Sequence, residues 1–69
     1  MTVEEFFRLV SARRVVNSPV RIAETAVARL KVERPELERA ATREHGDPSI
    51  FPEKLSLWLS YVQFHWNDH

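Results

Sequence analysis

The chain contains no cysteine, which excludes disulfide bridges, thiolate metal sites and thiol catalysis at once. Glycine occurs once, at position 46, too seldom for a glycine-rich phosphate loop. Nowhere do about 18 apolar residues run together, so no membrane-spanning helix is expected. Near the N-terminus Glu4, Glu5, Arg8, Arg13 and Arg14 interrupt any apolar run; no secretory signal is read there, and a cytoplasmic location is the expectation. Net charge is also missing, since ten basic residues balance ten acidic ones. The balance is uneven along the chain: residues 1–34 hold seven basic and four acidic residues, residues 35–69 three and six. Exposed charges are screened within about 10 Å, so this asymmetry is read mainly as solvated helix faces.

What is present is a 69-residue chain that is 43% hydrophobic and 29% charged. That composition belongs to a folded domain rather than a disordered one, and the length accommodates one domain, residues 1–69. Domains this small bury only about 60% of the surface their unfolded chains expose. With disulfides excluded, good helix packing, self-association or a partner protein must help.

The pattern is helical throughout. Thr2 and Glu5 have the spacing of a capping box, and Val3, Phe6, Phe7 and Val10 follow at helical intervals, predicting a first helix that ends near Val16. Ser18 and Pro19 supply a cap and a proline at the first helical position. The second helix is expected to bury Val20, Ala23, Ala26, Val27 and Leu30, with Ile22 at the margin. Pro35 should end it, because a proline inside a helix costs about 3 kcal/mol. A short third helix then runs from Pro35 to His45, offering Leu37, Ala40 and Ala41 and closed by Gly46 as a left-handed cap. Asp47-Pro48-Ser49 reads as a turn, and Pro52 opens the last helix. No period-two alternation supports a strand. The expected fold is all-α: a small single-domain bundle of three to four short helices around Phe6, Phe7, Val10, Val27, Leu30, Leu55, Trp58, Leu59 and Val62.

Both tryptophans and the single tyrosine fall in the last helix or just beyond it. On a wheel of about 100° per residue, Phe51, Leu55, Trp58, Leu59, Val62 and Trp66 form one arc, the expected core face. Leu57, Tyr61 and Phe64 form a second strip. Three preceding helices, one of them weakly apolar, have little surface with which to cover both. The strip is therefore expected to meet a protein partner, in a homo-oligomer or as a subunit of a larger assembly, since aromatic clusters are enriched at interface centres.

Other chemistry has less to rest on. His65 and His69 are four residues apart with Asp68 nearby, but two imidazoles and a carboxylate at a chain end fall short of a closed metal site, and no metal or cofactor is expected. Ser11, Ser18, Ser49, Ser56 and Ser60 suit caps or polar faces, with no base or acid pair beside them, so an enzyme is not expected. The rival to the interaction module is a small DNA-binding regulator. Arg13, Arg14, Arg21 and Arg29 would contact phosphates, and residues 20–45 have the helix, break, helix outline of a helix-turn-helix. Against it stand the proline in the break, the acidic start of the third helix and the zero net charge. Membrane-surface binding is not expected, because the polar side of the last helix carries serine and glutamine rather than lysine and arginine.

Overall fold

The computed structural model of the chain describes residues 1–14 and 18–68, with side chains of 13 and 14 left out. Four α-helices follow in order: α1 (Val3–Arg14), α2 (Pro19–Glu33), α3 (Pro35–His45) and α4 (Leu55–His65), the last entered through a short 3₁₀ turn at Pro52–Lys54. No strand occurs among the described residues, as the sequence pattern predicts. The radius of gyration is 10.7 Å, close to the roughly 11 Å that chain-length scaling gives for a compact domain of this size.

The helix ends follow from local chemistry. The Glu5 backbone N–H donates to the Thr2 hydroxyl, and the Thr2 N–H donates to the Glu5 carboxylate, both at 3.1 Å. That closes the capping box and satisfies two donors the first turn would leave open. Ser18 caps α2 through the Arg21 N–H, and Pro19 takes the first helical position. Between α2 and α3 lies a single residue, Arg34, with φ −141° and ψ 69°. Proline forces its predecessor out of the helical region, so Pro35 ends α2 and opens α3 in one step. Gly46 ends α3 at positive φ, as expected, but its ψ of 164° lies outside the left-handed helical region, in extended space open essentially to glycine alone. The following turn is pinned by Asp47, whose carboxylate accepts from the Ser49 N–H at 2.9 Å and the Ser49 hydroxyl at 2.6 Å. The expected first-helix end near Val16 falls outside the described residues.

α1 packs on α2, α2 on α3 and α3 on α4. One cluster runs through all four, joining Phe6 and Val10 to Ala26, Val27 and Leu30, to Leu37 and Ala41, and to Trp58 and Val62. The ring closes where Phe6 meets Trp66, centroids 5.7 Å apart. Three expectations are corrected. Phe7 is half-buried, edge-on against Phe6 at 5.5 Å, rather than central. Val20, in the first turn of α2, is exposed, and Ile22 is buried instead. Phe51 is half exposed: it precedes the 3₁₀ turn, whose three residues per turn break the 100° phase on which the wheel relied.

Two polar links tie the bundle. The Trp58 indole N–H donates to the Thr42 hydroxyl at 3.1 Å, and that hydroxyl donates to the Glu38 carboxylate at 2.7 Å. Glu38 is only 7% exposed, the one charged residue in the buried set among the described residues. At the other end of α4, the Arg34 guanidinium donates to the Trp66 carbonyl and lies 5.1 Å from the centroid of its ring, placing a cation at the negative end of the helix. Among the described residues no buried side-chain polar atom lacks a partner.

Candidate functional site

The helix α4 has two unequal faces. Leu55, Trp58, Leu59 and Val62 point into the bundle, and Trp66 follows them just past the helix end. Residues opposite that arc must point away from it, and these are Leu57, Ser60 and Phe64, spaced three and four apart. Leu57 is 53% exposed and Phe64 82% exposed. Ser56, Ser60 and Gln63 beside them are exposed as well.

The expected strip of Leu57, Tyr61 and Phe64 is thus divided by the structure. Tyr61 is partly buried against the core, its ring 5.7 Å from the His45 ring at the end of α3 and 4.3 Å from that of His65. His65 in turn approaches the Phe64 ring at 4.9 Å and bonds the Asp68 carboxylate through Nδ1 at 2.7 Å. Tyr61 therefore acts as a rim, fixed by rings on both sides, while Leu57 and Phe64 stand clear of the bundle. An aromatic ring so exposed loses its apolar hydration only when another surface covers it. Sequence reasoning missed Ser60, which lies on the pole of this face between the two large side chains.

Of the four basic candidates, Arg21 and Arg29 have described side chains. Arg21 is exposed on α2, while Arg29 is ion-paired with Glu33 at 3.2 Å. Glu33 also accepts from the Met1 amino group at 2.8 Å, and that hydrogen bond holds its carboxyl below the usual glutamate value. The side chains of Arg13 and Arg14 lie outside the described residues. The α2–α3 break is one residue long, shorter than the three- to four-residue turn of a helix-turn-helix. The first turn of α3 carries Glu36 and Glu38, an unfavourable end to present to phosphate.

A concave feature lies between α1 and α2, a shallow groove of about 570 Å³ lined by Met1, Leu9, Thr25, Ala28, Arg29 and Val32. Its polar groups are engaged with their own helix: the Thr25 hydroxyl donates to the Arg21 carbonyl at 2.9 Å, and Arg29 is held by Glu33. Among the described residues no group of three or more His, Asp or Glu is arranged to hold a metal ion; His69, part of the weak sequence candidate, lies outside them. No described helix is long and apolar enough to cross a membrane. Compared with family models, with curated proteins and with solved structures, the chain finds no match in any of the three.

Proposed function

We propose that the chain is a non-catalytic protein-interaction module whose contact surface is the outer face of α4, with Leu57 and Phe64 as anchors and Tyr61 at the rim. The observation that carries this reading is the exposure of Phe64, at 82%, on a helix whose opposite face already fills the core. Interface centres favour large apolar and aromatic side chains surrounded by uncharged polar ones, and Ser56, Ser60 and Gln63 supply that surround.

The rival reading, a small DNA-binding regulator, has less support. Arg29 is ion-paired with Glu33, and the acidic start of α3 opposes phosphate.

The test is a comparison of the wild-type chain with Leu57→Ser/Phe64→Ser. Exposed side chains contribute little to folding, usually within about 0.5 kcal/mol each. The variant should keep its helical circular dichroism and a thermal midpoint within a few degrees of wild type, while losing the association the wild type shows. Loss of folding instead would put these residues in the core and end the reading. Salt-sensitive binding to duplex DNA, unchanged in this variant, would favour the regulator.

A further inference from the structure

The face of α4 differs from the other helix surfaces in its charge. From Leu55 to Asn67, thirteen consecutive residues include no lysine, arginine, aspartate or glutamate. The other helices all expose charges: Glu4 and Arg8 on α1, Arg21 and Lys31 on α2, Glu36 and Arg39 on α3. A partner selected by charge would find nothing to read on α4. A surface that meets its own copy has the opposite requirement, because any charge near the axis faces an identical one and repels it.

We propose that the occupant of this face is a second copy of the chain, joined in a two-fold pair in which Leu57, Ser60 and Phe64 of one protomer pack on the same three residues of its partner. This rests on the reading of the face as a contact surface and names what covers it. The spacing supports it: within α4, Leu57, Ser60 and Phe64 are separated by three and four residues and are all exposed, the interval that keeps one helix seam facing another. Ser60 leaves a gap between two large side chains, and a Leu57 or Phe64 ridge from the partner fits such a gap. The zero net charge of the chain adds no long-range repulsion.

The available area sets the strength. At 1.5 Å per residue α4 is about 16 Å long. A standard interface takes about 800 Å² from each partner, roughly a fifth of this chain's 4411 Å² surface. One short helix face supplies less than that, so the pair belongs at the weak, reversible end of the range.

Sedimentation equilibrium of the full chain from about 10 μM to 1 mM tests this, that range being where weak interfaces dissociate. The mass should climb from the 8.1 kDa of one chain toward twice that value, and Phe64→Asp should lower the association constant at least tenfold with helicity unchanged. If Phe64→Asp loses helicity, Leu57→Gln provides the same comparison. Ser60→Cys adds a thiol to a chain that has none, and on mild oxidation it should form a disulfide-linked pair faster than Glu24→Cys, an exposed control on α2. A single-chain mass up to 1 mM overturns the proposal. So does a dimer that survives Phe64→Asp but is lost in Val32→Asp, since the contact would then lie in the α1–α2 groove. A monomeric wild type together with a folded Leu57→Ser/Phe64→Ser variant refutes the second copy alone; unfolding of that double variant refutes the contact surface as well.

Discussion

Replacing Thr42 by valine removes one oxygen and keeps the side-chain shape, which makes it a clean probe of the link between α3 and α4. In the wild type the Thr42 hydroxyl accepts from the Trp58 indole and donates to Glu38. Trp58 is fully buried and Glu38 nearly so, while Thr42 between them is partly buried, so the lost partner is replaced by water only in part. Stranding the indole N–H and depriving the carboxylate of a donor should together cost about 2 to 3 kcal/mol, from the usual penalty of about 1 to 3 kcal/mol for an unsatisfied buried polar group. For a domain of this size that is a fall of roughly 10 to 20 °C in thermal midpoint, and a large share of a total stability of about 3 to 10 kcal/mol. Urea and thermal unfolding followed by circular dichroism measure it. Thr42→Ser should retain most of the stability, because the hydroxyl remains. Once Trp58→Phe has removed the indole donor, Thr42→Val should cost less, with a coupling of about 1 kcal/mol or more in the double-mutant cycle. A Thr42→Val protein within about 0.5 kcal/mol of wild type would refute the reasoning, since that is the range of an ordinary surface change.

Three further outcomes follow from the structure. Arg34→Met removes the guanidinium from the Trp66 carbonyl and ring and should cost about 1 to 2 kcal/mol in urea unfolding, with Arg34→Lys intermediate because an ammonium lacks the planar fork. Gly46→Ala should cost about 1 to 3 kcal/mol from backbone strain alone, since an added Cβ would meet nothing nearer than the Lys54 side chain at 3.9 Å; a neutral substitution would mean the α3 end relaxes freely. Glu5, through its hydrogen bonds with Thr2, and Glu33, through that from the Met1 amino group, are both held below the ordinary value of 4.5. Folding then binds fewer protons than the unfolded chain, so their stabilisation is present above that value and is lost as pH falls through the lower folded one. Thermal midpoints measured from pH 6 to pH 3 should decline less steeply in Glu33→Gln than in wild type.

The helix boundaries were legible because they are written in residues with one physical meaning. Pro19, Pro35 and Gly46 punctuate the chain, Thr2 and Ser18 cap it, and the structure places helix ends at each. The buried stripe of α4 was legible from Leu55 onward, where the helix is regular, and misleading at Phe51, where the 3₁₀ turn changes the angle per residue. Glu38 was not legible as a buried residue. Its sequence neighbours suggest an acidic helix start; its carboxylate accepts from Thr42 one turn along the same helix, and the tertiary contact, from Trp58, is made to that hydroxyl. The candidate site was half legible: the sequence pattern separates Leu57, Tyr61 and Phe64 from the core arc, but how far neighbouring helices cover each one depends on packing. His45 reaches Tyr61 from the end of α3, while Phe64 meets the ring of its neighbour His65 and stays 82% exposed.

The most direct test of self-association through the outer face of α4 is a series of amide and side-chain NMR spectra of the wild-type chain recorded from about 10 μM to 1 mM. The account predicts concentration-dependent shifts concentrated on Leu57, Ser60 and Phe64, with smaller changes at Tyr61 and none at Val32 or Leu9 in the α1–α2 groove. Shifts that map to the groove, or spectra that stay constant up to 1 mM, would contradict it.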